Sequence, residues 1–431
     1  LFLKIKMIKQ NTAQNFNKVL LFIILIFIFY RSPYILLNGR FIAEEGSFFF
    51  RNSYLFGPLE GLKQIIWSDS GYYNFWANIS SIFASFVPLN YAPLVTVYFA
   101  FAVQLYLFIF IIFSQSDFIK TNTDRFVISF IVLLSPCMVA EVWLNTLTSQ
   151  VYFTILTILI YFQRNLPNSF FCKFSSITLL LSGFSSLLPC VLSPFYIYKY
   201  LKNKIRFNFY NFIAITIPTI FQIIIYSYSK IQNLEIVDQN IRYIVSFDKV
   251  TNYTYNVLIK SFFGRELTQV VFYKFFNFFS LYILSFFIIS LFVMIFVFLS
   301  KKIKNDNILY FLLSFFLLNS FLAIYASKVE LVQGRYALIP GILLTFIFYR
   351  IFQISNSFPK ILFGSFIIMS LSTGLYEFKT KNIYPEFLMC MNCPNWKKEV
   401  SKWENDNTYH LKIWMYGELG GPAGKTMNLI K

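Results

Sequence analysis

Val19-Leu20-Leu21-Phe22-Ile23-Ile24-Leu25-Ile26-Phe27-Ile28-Phe29-Tyr30, continued through Arg31-Ser32-Pro33 to Leu37, decides the fold class. A helix that crosses the hydrocarbon layer needs about 20 mainly apolar residues, and this stretch supplies them. Lys4, Lys6 and Lys9 precede it in the layout of a signal peptide, but no small-residue cleavage site follows. The segment is therefore expected to stay as the first membrane helix. Comparable runs recur at Tyr91 to Phe113, Phe126 to Ala140, Thr146 to Phe162, Phe207 to Tyr228, Val270 to Ser300, Ile308 to Ala326, Tyr336 to Ile351 and Ile361 to Tyr376. Each reads as a span.

Composition agrees. The 431 residues are 57% hydrophobic and 13% charged, with 57 Phe, which places the chain outside soluble usage. The expected fold is an all-α polytopic membrane protein with about eleven transmembrane or membrane-dipping helices. The formal charge of +18 is spread in short Lys/Arg clusters between apolar runs, so it reads as a topology signal and not as a nucleic-acid surface. The single His410 excludes a His-based zinc site, and five Cys are too few for a disulfide scaffold.

Charge placement sets the expected orientation. With the N-terminus cytoplasmic, Lys120 and Arg125, Arg164 and Lys173, Lys199 to Arg206, Lys301 to Lys304, and Arg350 with Lys360 all fall on the inside. That holds only if Ser175 to Tyr198, interrupted by Gly183, Pro189 and Pro194, forms a tight hairpin of two short helices instead of one crossing. Three long segments then lie outside: Asn38 to Asn90, Ser229 to Thr268, and Glu377 to Lys431. The expected division is a membrane domain over 1–376, with its first exterior loop at 38–90, and an exterior cap over 377–431. Tyr73 to Val87 is short and aromatic-edged, as in a helix lying in the interface.

Five groups of residues are candidates for chemistry, all on the expected exterior side. The first loop opens with Gly39-Arg40-Phe41-Ile42-Ala43-Glu44-Glu45-Gly46, an acidic pair at the membrane surface. Burial there can raise a carboxyl pKa, although acidic residues also stabilise a helix N-terminus. Asp69 and Tyr72 follow in Trp67-Ser68-Asp69-Ser70-Gly71-Tyr72, where Asp69 also fits a turn. Gln333-Gly334-Arg335-Tyr336 sits at the mouth of a late helix, where a guanidinium can hold a phosphate or merely anchor at the interface. Glu141 and Trp143 occupy what reads as a very short exterior turn, placed to contact a sugar. In the tail, Cys390 and Cys393 form one CxxC that fits a disulfide or two thiols, and Trp396, Val400 and Trp403 share a helical face expected to pack on the exterior loops.

An acidic pair just after the first membrane helix, heading a large exterior loop with interfacial helices, resembles the GT-C superfamily of polyprenyl-phosphate-dependent membrane glycosyltransferases. The resemblance covers roughly residues 19 to 376. It implies that Glu44 or Glu45 is the catalytic base of an inverting sugar transfer, although Glu-Glu stands here where many members carry an Asp-containing pair. It also implies Arg335, in an Arg-Tyr followed by Pro340, as the lipid-phosphate contact. Arg40, Asp69, Tyr72, Glu141, Trp143, Gln333 and Tyr336 complete the expected substrate-binding set, and a divalent metal is compatible with such a site. The expected partners are a polyprenyl-phosphate sugar donor, a cell-envelope glycan or lipid acceptor and membrane lipids, with no nucleic acid, in a bacterial inner membrane. The rival reading is a transporter or flippase of lipid-linked glycans; visible repeats and mid-membrane charges, which transporters tend to carry, are not evident in the sequence.

Overall fold

The computed structural model describes residues 2–66, 71–166, 169–231, 244–275, 278–298, 305–327, 332, 334–379, 393–414 and 426–430. It is 78% helical. Among the described residues, sheet is confined to two antiparallel pairs of two-residue strands, Ile65–Ile66 with Tyr72–Tyr73 and Leu411–Lys412 with Thr426–Met427. Among the described residues, five helices are long and apolar enough to cross a membrane: Leu89–Phe113, Arg206–Ser229, Asn307–Ala326, Arg335–Ile354 and Phe358–Glu377. These make the chain an all-α integral membrane protein. Shorter apolar helices accompany them at Gln150–Tyr161, Phe170–Ser185 and Leu281–Ile295.

Several elements differ from the hydropathy reading. The first helix runs over Phe2–Arg31 and stops at Ser32, because Pro33 disfavours helical geometry in the residue before it; a short helix, Pro33–Asn38, then restarts. The runs Phe126 to Ala140 and Thr146 to Phe162 become two 12-residue helices, Asn122–Leu133 and Gln150–Tyr161. Each is about 18 Å long, short of an approximately 30 Å hydrocarbon layer. Between them residues 134–149 are largely irregular and buried, so the expected short turn is an internal segment. Pro136 ends the first helix, and Asn145, Thr148 and Ser149 satisfy carbonyls of the irregular backbone, as membrane depth requires.

The stretch assigned to an exterior loop from Ser229 to Thr268 is corrected in its second half. Phe247–Tyr253, the π-helical turn Thr254–Ile259 and Lys260–Phe275 are helical, and Tyr253, Val257, Leu258 and Phe262 join the core. Polar residues lowered the hydropathy of this segment, yet they are buried with partners: Lys249 Nζ donates to the Ser327 carbonyl at 3.0 Å. The expected hairpin at Ser175 to Tyr198 consists of Phe170–Ser185, Leu187–Cys190 and Ser193–Lys202.

Basic segments gather at one end of the bundle. Arg164 pairs with Asp117 at 2.7 Å, Lys199 Nζ donates to the Tyr161 carbonyl, and Arg350 pairs with Asp306 at 2.6 Å. Asp124 closes the capping box of Asn122–Leu133 and accepts from Tyr349 and Gln353, tying that helix to Arg335–Ile354. Since Arg164 and Lys199 lie at the same end, the chain goes out and returns between them.

At the opposite end the first loop and the tail share a core. Phe41, Phe50, Leu55, Ala84 and Ala92 pack with Trp396, Val400, Leu411, Ile413, Met427 and Leu429. Trp396 Nε1 donates to the Leu89 carbonyl at 2.7 Å, and Trp414 N donates to the Phe41 carbonyl at 3.0 Å. Asn395 caps the Trp396–Asn405 helix by accepting from Lys398 N, and its Trp396–Val400 face meets the loop. Cys393 is disulfide-bonded; Cys390 lies outside the described residues.

One close approach fixes the packing of the last span. A Cβ on Gly374 would stand 1.7 Å from the Leu134 carbonyl oxygen, at the C-terminal end of Asn122–Leu133. Gly374→Ala is expected to lower stability by about 1–3 kcal/mol through overpacking, read as a fall in Tm in detergent. An unchanged Tm would mean that the helices do not touch there.

Candidate functional site

The acidic pair is divided by the turn that carries it. Ala43 has φ +49°, a left-handed conformation that costs a non-glycine residue, and the π-helical turn Glu45–Phe50 starts directly afterwards. Glu45 points inward and is 1% exposed. Its Oε1 accepts from Thr146 N at 3.0 Å and from Thr146 Oγ1 at 2.5 Å. Burial raises the Glu45 carboxyl above the usual range, and the two Thr146 hydrogen bonds and the Arg40 charge oppose that rise. Glu44, next to it in the chain, is half-buried.

Thr146 belongs to the irregular segment that also holds Glu141. Glu141 Oε1 pairs with Arg335 Nη1 at 3.0 Å, with about a third of the Glu141 side chain and about a quarter of the Arg335 side chain exposed. Asn145 Nδ2 donates to the Glu141 carbonyl at 3.1 Å, and Thr148 Oγ1 to the same oxygen at 2.9 Å. One folded segment therefore links Glu45 at one end to Arg335 at the other. Five residue steps separate Glu141 from Thr146, so their Cα atoms are at most about 18 Å apart even if extended. Among the described residues, the non-glycine residues with positive φ are Ala43, Leu144 and Val332, one in each of the three chain segments that meet here. Backbone strain of this kind persists only where surrounding structure over-determines it, and it clusters at functional sites.

Arg335 opens onto a cavity of about 310 Å³. Its walls are mostly apolar, with Leu187, Leu188, Val191, Leu322, Ile339 and Pro340 among them, and polar groups stand at Tyr72, Gln150, Ser186, Asn319 and Tyr336. Tyr72 is held in place by its neighbour: Gln222 accepts from Tyr73 N at 3.0 Å and donates to the Tyr73 carbonyl at 2.8 Å. The Arg335 guanidinium lies 5.5 Å from the centre of the Tyr336 ring. Gln150 Oε1 accepts from Ser186 Oγ at 2.7 Å, which closes one wall.

The structure thus brings Tyr72, Arg335, Tyr336 and Glu141 together. Neither Glu44 nor Glu45 lines the cavity. Two expected substrate contacts are internal instead. Arg40 is 1% exposed, donates from Nη2 to the Ala140 and Trp143 carbonyls at 3.0 and 2.8 Å, and stands over the Trp414 ring. Trp143 is also 1% exposed; its Nε1 donates to Ser32 Oγ at 2.7 Å and its ring faces the Arg31 guanidinium. Trp143 ties residues 134–149 to the end of the first helix and Arg40 ties them to the start of the first loop, because buried donors need partners. Asp69 and Gln333 lie outside the described residues. Gln150, Ser186, Asn319 and Tyr226 were not singled out in the sequence, although Asn319 is a polar residue within a membrane helix, a usual mark of function. Among the described residues no group of three or more His, Cys, Asp or Glu is placed to hold a metal ion.

Fold and site define an all-helical integral membrane protein with an apolar cavity that ends in an arginine and tyrosines. No family model matches the chain, and comparison with curated proteins and with solved structures finds no match for it.

Proposed function

We propose that the protein is a GT-C-like membrane glycosyltransferase that moves a sugar from a polyprenyl phosphate to an acceptor hydroxyl. The observation that carries the reading is the cavity: apolar walls suited to an isoprenoid chain end at a guanidinium and tyrosine hydroxyls suited to a phosphate. The positive-inside rule puts the basic end in the cytoplasm, so the N-terminus is cytoplasmic and the cavity mouth, the first loop and the C-terminal tail face outward. A bacterial inner membrane with a cell-envelope glycan or lipid acceptor fits this layout.

In the proposed reaction the acceptor oxygen attacks the anomeric carbon as the bond from that carbon to the phosphate oxygen breaks. The acceptor proton goes to the Glu44 carboxylate, and the bonding pair leaves with the polyprenyl phosphate. Arg335 neutralises the departing charge. Glu45 holds Thr146 and thereby positions the segment that orients Arg335 through Glu141. Glu44 and Glu45 do not line the cavity, so the sugar must extend from the cavity mouth toward Glu44, with the segment 141–146 beneath it.

Arg335 makes a phosphate contact before as well as during reaction, so Arg335→Ala is expected to weaken binding of a polyprenyl phosphate about tenfold or more. Titration of purified protein in detergent with a fluorescent short-chain polyprenyl phosphate measures this. Equal binding by the variant, or no binding by the wild type, contradicts the assignment of the cavity.

A further inference from the structure

A separate groove lies at the basic end, away from the Arg335 cavity. The helices Phe170–Ser185 and Arg206–Ile231 pack closely where Gly183 meets Pro218, and Ser176 Oγ donates to Asn211 Oδ1 at 2.8 Å. Toward the basic end the two helices flank a groove of about 740 Å³. Ile177, Leu180, Ile213 and Ile217 form its apolar floor and sides, and Lys173 and Arg206 stand at its basic end. Neither cation has a side-chain partner among the described residues, whereas Arg164 nearby is paired with Asp117. The described residues lining the groove include no acidic residue.

We infer that this groove holds one anionic glycerophospholipid, its acyl chain along Ile177 and Ile213 and its phosphate between Lys173 and Arg206. The argument is charge complementarity joined to apolar continuity. An unpaired Lys and Arg at the headgroup level of a membrane protein attract negative lipid, and each contributes a factor of about five. A soluble anion would use the cations but not the apolar wall; a zwitterionic lipid would use the wall but gain little from the cations. Only an anionic lipid uses both. The site is independent of the glycosyltransferase reading, since it shares no residue with the Arg335 cavity.

Native mass spectrometry of the full chain tests it, after incubation in detergent with phosphatidylglycerol or phosphatidylcholine. The wild type is expected to retain one equivalent of phosphatidylglycerol with a preference of about twenty-five-fold over phosphatidylcholine. Lys173→Gln/Arg206→Gln is expected to bring the two lipids to near parity. Ile177→Trp, which fills the groove at a half-exposed position and keeps both charges, is expected to lose the bound lipid. Equal retention of both lipids by the wild type, or an unchanged preference in the double variant, overturns the proposal. So does displacement by millimolar inorganic phosphate combined with undiminished binding in Ile177→Trp, which would mark a site for a free anion. Should the double variant fail to fold, the wild-type preference and Ile177→Trp still decide the matter.

Discussion

Glu44→Gln is expected to cut sugar transfer by about a hundredfold or more while the protein stays inserted and binds donor as the wild type does. Gln keeps the shape and hydrogen-bonding capacity of the side chain but cannot accept the acceptor's proton, and general-base removal has effects of this order. The loss should appear in turnover with little change in KM for the donor, because proton abstraction occurs only on the way to the transition state. Glu44 is chosen over Glu45 on exposure. Glu44 is half-buried, whereas the Glu45 carboxylate is enclosed and already occupied by Thr146. Full transfer activity in Glu44→Gln, measured with a purified polyprenyl-phosphate sugar, would remove Glu44 from the mechanism.

Glu45→Ala is expected to fail for a different reason. It leaves Thr146 N–H and Oγ1–H without their acceptor inside the protein. An unsatisfied buried donor costs about 1–3 kcal/mol, so the two of them amount to about 2–6 kcal/mol, and Arg40 also loses its nearby negative charge. The variant should show a markedly lower Tm in detergent and loosened protection of residues 141–149 in hydrogen exchange. Glu45→Gln retains a carbonyl oxygen for Thr146 and should recover most of the stability. The contrast separates the two neighbours: at position 44 the Gln variant is folded and inactive, and at position 45 it is folded and active. An inactive Glu45→Gln with unchanged Tm would give the base to Glu45 instead.

Membrane insertion was legible in the sequence because it depends only on apolar content and length, as at Asn307–Ala326 and Arg335–Ile354. The tail helix was legible too, since Asn395 and the Trp396–Val400 spacing carry cap and face together. Helix ends governed by partners were not. Lys249, Thr254 and Ser261 made residues 247–268 look like a loop, but each finds a partner inside the bundle. Pro136 signals a break, yet nothing local says that the following residues stay buried; that depends on Arg40 and Trp143 reaching across from other segments. The same long-range bonds explain why Arg40 and Trp143 resembled surface ligands. Their types suit sugars and phosphates, and only the fold shows where their donors are spent. Arg335 and Glu141 were each legible from their place at the expected exterior surface, whereas their pairing and the cavity wall at Gln150 and Asn319 join four separate elements.

The central claim is transfer chemistry, and the most direct measurement is the fate of a radiolabelled polyprenyl-phosphate sugar given to the purified protein in liposomes with a glycan or lipid acceptor. Label is expected in a new glycoside, with free polyprenyl phosphate in equal amount, and both products cut about a hundredfold or more with Glu44→Gln. Intact donor moved from one leaflet to the other with no glycoside formed, and equally well by Glu44→Gln, would contradict it and establish a transporter of lipid-linked sugars instead.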